Sequence, residues 1–132
     1  MTTIETDKVE VNSSAEDIFK FLSDISNLEQ LMPDQVVNWE STGDECSFTI
    51  KGMGNIGMRI VEKIPISEVK IVSTKGALKF DLNCFIEKVN DDKCNTQLIL
   101  EADLNPMMKM MVEKPLGNFF NLLVTKLKEI NE

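Results

Sequence analysis

Over residues 36–104 turn signals break the chain at short intervals, and the pieces between them alternate apolar and polar side chains. Residues 45–51 put Cys46, Phe48 and Ile50 on one face and Glu45, Ser47, Thr49 and Lys51 on the other. Residues 78–89 line up Leu78, Phe80, Leu82, Cys84 and Ile86, and the last piece lines up Thr96, Leu98, Leu100, Ala102 and Leu104. A period of two marks a half-buried strand. The turns are Thr42-Gly43-Asp44, Gly52-Met53-Gly54-Asn55, Pro65, Lys75-Gly76 and Asn90-Asp91-Asp92-Lys93. They separate roughly six strands too closely for crossover helices, which predicts an antiparallel meander.

A meander has an apolar face that something must cover. The one segment long enough comes last. Asn105-Pro106 pairs a good N-cap with a proline at the first helical position and predicts a helix over 107–130. Leu116, Phe119, Phe120, Leu123, Leu127 and Ile130 recur there at helical spacing. Pro115 lies inside and has no backbone N–H to donate, so a kink or break is expected near Val112.

Upstream, Ile4, Val9 and Val11 place a first strand over 3–11. Ser13 with Glu16, or Ser14 with Asp17, opens a helix carrying Ile18, Phe19, Phe21, Leu22 and Ile25. Ser26 with Glu29 offers a second capping box for a short helix over 27–32, which Pro33 stops. The expected fold is α+β: a single domain over 1–132, with a curved antiparallel sheet of about seven strands wrapped around a long C-terminal helix, two short helices after the first strand sealing one end. A bent sheet gripping one helix is expected to leave a cavity beneath it.

Composition narrows the function. A chain of 132 residues with 42% apolar side chains has the size and apolar content of one folded domain. Fourteen basic against 22 acidic side chains leave a net charge of −8, which disfavours nucleic acid and anionic lipid as partners. No apolar run is long enough for membrane insertion. With no His and no Tyr, two common proton-transfer groups and the commonest metal ligand are missing. Cys46, Cys84 and Cys94 are odd in number and lack metal-ligand spacing, so no metal, cofactor or disulfide is expected. Cys46 and Cys84 fall on apolar strand faces, while Cys94 sits in a polar turn and is expected to be exposed. The N-terminal residues lack the pattern of a secretory leader, and a reducing cytoplasmic setting is expected.

The element order, together with VNSSAEDIFKFLSD at residues 11–24 and Leu31-Met32-Pro33, resembles the START-like (SRPBCC) superfamily, which includes the birch pollen allergen and polyketide cyclases. Glu29-Gln30-Leu31-Met32-Pro33, Lys51-Gly52-Met53 and Met107-Met108-Lys109-Met110-Met111 look most like small bacterial SRPBCC proteins. The resemblance implies a helix-grip fold with a hydrophobic cavity. It implies no single activity, because such folds host binders, carriers, cyclases and hydrolases.

Strand parity and the helical stripe propose the cavity walls. From the first helix and the sheet come Phe21, Trp39, Phe48, Met58, Ile71, Phe80, Leu82, Leu98 and Leu100. The last helix adds Phe119, Phe120 and Leu123. Met53, Met108 and Met111 are candidates for the mouth, where flexible thioethers fit varied apolar ligands; gap-filling in the core is the other reading of the methionines. The Gly52–Gly57 segment precedes a strand and lacks a phosphate loop's Lys-Ser/Thr, so it reads as a turn at an entrance. Arg59 alternates away from Met58 and Ile60 and is expected outside. Glu62 shares their parity and is the one candidate general base, with Asp24 or Asp34 weaker at the rim. Three functions remain open: holding a small hydrophobic or amphipathic molecule such as a lipid or aromatic compound, cyclase or dehydratase chemistry through Glu62, or a Met-rich groove for a protein partner. A monomer or weak homodimer is expected.

Overall fold

The computed structural model describes residues 1–76 and 78–132. The described chain runs β1 (Thr2–Glu5), β2 (Val9–Val11), α1 (Ala15–Leu22), a 3-10 helix (Ile25–Leu31), β3 (Val36–Thr42) and β4 (Glu45–Ile50). It continues through β5 (Gly54–Ile64), β6 (Glu68–Lys75), β7 (Phe80–Asn90), β8 (Lys93–Ala102) and α2 (Pro106–Ile130). The strands form one antiparallel sheet in the order β1-β8-β7-β6-β5-β4-β3, with β2 also on β8. This is the α+β helix-grip architecture the sequence predicts, with six consecutive strands between the short helices and α2.

The first predicted strand is split. Across the break at Thr6, the Leu98 N–H donates to Thr6 Oγ1 and the Thr6 N–H donates to the Leu98 carbonyl, both at 3.0 Å. Gln97 Nε2 donates to the Thr6 carbonyl at 2.9 Å. Asp7 N–H donates to Asn121 Oδ1 at 2.9 Å, tying the same break to α2. A side-chain hydroxyl thus substitutes for a ladder acceptor, and the buried backbone stays paired.

Capping follows the sequence in two helices out of three. Ser14 Oγ accepts from the Asp17 N–H at 3.1 Å and starts α1, and Asn105 Oδ1 accepts from the Met108 N–H at 2.8 Å and starts α2. The third differs. Asp24, not Ser26, caps the short helix, its Oδ1 accepting from the Ser26 N–H at 3.0 Å. That helix buries Ile25, Leu28 and Leu31, one residue in three, which is the repeat of 3-10 winding.

Three further expectations are corrected. Cys94 is 0% exposed. The β7–β8 turn closes early, with Asn90 opposite Lys93, so Cys94 already belongs to β8, opposite Lys88 and Val11. It therefore begins the inward series Cys94, Thr96, Leu98, Leu100 and Ala102. Helix α2 runs without interruption through Pro115, so no break occurs at Val112. Glu62 is exposed, because a register shift between Ile60 and Glu62 inserts an extra residue and turns its side chain out of the inward series.

Helix α2 packs against β1, β2, β8 and the 3-10 helix. Its buried residues are Leu116, Phe119, Phe120, Leu123, Val124 and Leu127, all after Pro115. They share one buried core with strand residues such as Met58, Ile71, Leu82 and Leu100, each at most 2% exposed. The interior is nearly full. The enclosed space between sheet and helix is about 10 Å³, lined by Leu22, Leu28, Leu31, Met58, Leu82, Cys84, Leu98, Leu123, Val124 and Leu127. That is roughly the room one water needs, with no polar side-chain partner to hold it beyond a thiol. The cavity expected beneath the helix is, among the described residues, closed down to this space.

Candidate functional site

Open space appears instead at one end of the grip. The first ten residues of α2, 106–115, include no buried side chain. This half of the helix overhangs the sheet and faces the β4–β5 turn. A cleft of about 580 Å³ lies between them, lined by Gln35, Ile50, Lys51, Gly52, Met53, Met111, Val112, Pro115, Asn118, Phe119 and Leu122. The volume falls within the usual 300–1,000 Å³ of small-molecule sites.

Local chemistry builds each wall. Gly52 and Gly54 adopt φ of 87° and 105°, backbone that side chains resist, so the turn reverses in few residues and presents Met53. Lys51 N–H donates to the Gln35 carbonyl at 2.9 Å and Met53 N–H to the Ile50 carbonyl at 3.0 Å, which fix the rim. On the helix side, Met111, Pro115, Asn118 and Leu122 recur at three- and four-residue steps and share one face. Pro115 has no N–H to donate to the Met111 carbonyl one turn back, so that i→i−4 bond is missing.

The cleft floor is aromatic. Phe119 lines it and stacks on Phe48 at a centroid distance of 6.4 Å, and Phe48 stacks on Trp39 at 5.4 Å. Phe120 meets Phe119 edge-on at 5.2 Å. Trp39 is half-buried, and its Nε1 donates to Ser41 Oγ at 3.1 Å. A register shift between Val37 and Glu40, with Asn38 at φ 58°, interrupts the strand alternation just where Trp39 sits.

The proposed wall residues separate into four groups. Met53, Met111 and Phe119 meet at the cleft, with Phe48 behind Phe119. Met58, Leu82, Leu98 and Leu123 surround the closed space, while Ile71, Phe80, Leu100 and Phe120 are buried in the core. Phe21 and Met108 are half-buried and line neither the cleft nor the closed space. Sequence parity missed Gln35, Lys51, Val112, Pro115, Asn118 and Leu122. The helical spacing of Met111, Pro115, Asn118 and Leu122 was the available signal, masked by the stronger apolar stripe beside it.

The candidate base does not sit at this site. Glu62 pairs with Lys70 at 3.7 Å on the outer surface. Asp24 is a helix cap and Asp34 is exposed. Arg59 is exposed, as its alternation predicts. Burial pushes the Cys46 and Cys84 thiols up to about 12, and Cys94 upward too, so all three remain neutral small hydrophobes. Among the described residues, no helix is long and apolar enough to cross a membrane.

The overall architecture recurs in solved structures. A START superfamily protein from Mycobacterium smegmatis aligns with a TM-score of 0.76 and 18% identity, over 98% of this chain and 96% of that one. Norcoclaurine synthase from Thalictrum flavum, solved with dopamine and hydroxybenzaldehyde, aligns at 0.76 and 16% identity, over 98% and 85%. The XoxI protein from Bacillus cereus aligns at 0.81 with 8% identity, over 99% and 96%. The chain therefore has the START-like (SRPBCC) fold. No protein-family model and no curated protein sequence matches it.

Proposed function

We propose that this protein holds a small hydrophobic or amphipathic molecule, without chemistry, in the cleft between α2 and the β4–β5 turn. The observation that carries this function is the cleft itself: about 580 Å³, apolar along Ile50, Met53, Val112, Phe119 and Leu122, with a few polar groups at its edge. Burial of apolar area drives binding, at about 25 cal/mol per Å² before association costs. The cyclase or dehydratase alternative has lost its inward carboxylate, Glu62.

A titration of protein carrying 13C-methyl methionine with decanol tests the site. Met53 and Met111 lie in the cleft and Met58 in the closed interior. The expected result is a saturable shift of the Met53 and Met111 methyls with Met58 unmoved. Still signals from Met53 and Met111 at saturating decanol would overturn the assignment.

One observation favours a second function, a Met-rich surface for a protein partner. Met107, Met110 and Met111 are 71%, 87% and 68% exposed beside a nearly filled interior. Adjacent flexible thioethers suit such contacts. Self-association or partner capture lost in Met107→Ser/Met110→Ser protein supports it, whereas a monomer that captures nothing counts against it.

A further inference from the structure

We infer that the cleft selects amphiphiles with an anionic head, and that Lys51 is the residue that reads the head. This rests on the cleft being the ligand site. The chain carries 22 acidic side chains, yet none lines the cleft. Its single charged lining residue is the cation Lys51. Lysines 8, 63, 70, 88, 93 and 109 pair with carboxylates, and Lys51 is the one lysine without an ion-pair partner among the described residues that also lines the cleft. In a protein of net charge −8, an anion is repelled over most of the surface, and an isolated ammonium beside an apolar slot gives it a favourable place to dock.

The rest of the cleft suits that orientation. Met53, Val112 and Leu122 offer an alkyl or aryl tail apolar contact above the Phe119 floor, and Asn118 and Gln35 offer amide N–H donors to the head's oxygens. The Lys51 backbone is held by its bond to the Gln35 carbonyl, so its side chain starts from a fixed point on the rim. A cationic head would meet the unpaired Lys51 charge and no carboxylate.

The test compares decanoate, decanol and decylamine, which share a tail and differ in the head, by the Met53 and Met111 methyl shifts. Decanoate is expected to bind about fivefold more tightly than decanol at low salt, the upper range for one exposed ion pair, with the difference shrinking at high salt. Lys51→Met should erase that preference, Lys51→Glu should transfer it to decylamine, and Lys88→Met, beside the β7–β8 turn and outside the cleft lining, should leave it intact. Equal binding of decanoate and decanol, or a preference that survives Lys51→Met, would overturn head selection while leaving the cleft as a ligand site. Absence of any cleft shift with all three probes would overturn both.

Discussion

Trp39 lies stacked on Phe48, ring centroids 5.4 Å apart and planes 20° from parallel. The pair joins an edge strand of the sheet to Phe119 of α2, because Phe48 stacks in turn on Phe119 at 6.4 Å. The only tryptophan in the chain is therefore a native reporter of how α2 sits on the sheet.

Phe119 is 2% exposed, and Phe119→Ala leaves a void where the cleft meets the core. It should cost about 3–5 kcal/mol, read from the urea midpoint followed by Trp39 emission. A loss under about 1 kcal/mol would mean that α2 resettles into the space.

Ile66 sits in the β5–β6 turn with φ 64°, where Ser67 N–H bonds the Ile64 carbonyl at 3.0 Å. Pro65 occupies the second turn position and a positive φ the third, as in a type II turn, yet the third residue is β-branched. Such backbone costs about 1–3 kcal/mol. Ile66→Gly should therefore raise stability by about 1 kcal/mol net of its added unfolded-state entropy, visible as a higher melting temperature. A lower melting temperature would refute the strain.

The thiols set the alkaline limit. The folded-state pKa of Cys46 and Cys84 is raised from 9.0 to about 12, so the folded protein binds more protons than the unfolded chain between those values. The thiols' contribution is complete below pH 9 and is lost as pH rises toward 12. Each should lower stability by about 1.4 kcal/mol per pH unit while it titrates in the unfolded chain alone. At pH 8 all three cysteines should react with a thiol reagent only as the protein unfolds, because each is at most 3% exposed. A fast stoichiometric reaction of native protein would contradict this.

Pro115 separates an exposed half of α2 from a buried one. Amides at 107–114 should exchange faster than those at 119–127, since the buried residues of the helix all follow Pro115. Pro115→Ala restores a donor for the Met111 carbonyl and should stabilise the protein by up to about 3 kcal/mol while slowing exchange around 110–114. Uniform exchange along α2 would contradict this division.

The fold was legible because its determinants are local. Period-two alternation in β4, β7 and β8, the turn residues between strands, and the Ser14 and Asn105 caps are each set by a few neighbouring side chains. The long apolar stripe from Leu116 to Leu127 likewise names its own buried face. Tertiary structure decided the rest. Whether Glu62 points in or out depends on one extra residue at a bulge, which alternation carries straight through but strand pairing does not. Whether Cys94 is turn or strand depends on where β2 and β7 meet β8. The space beneath α2 depends on the summed volume of side chains from six separate elements, so it closed to about 10 Å³ while the overhanging end of the same helix left a cleft of about 580 Å³. Packing volume and charge placement are properties of residues brought together from distant positions, and no local period encodes them.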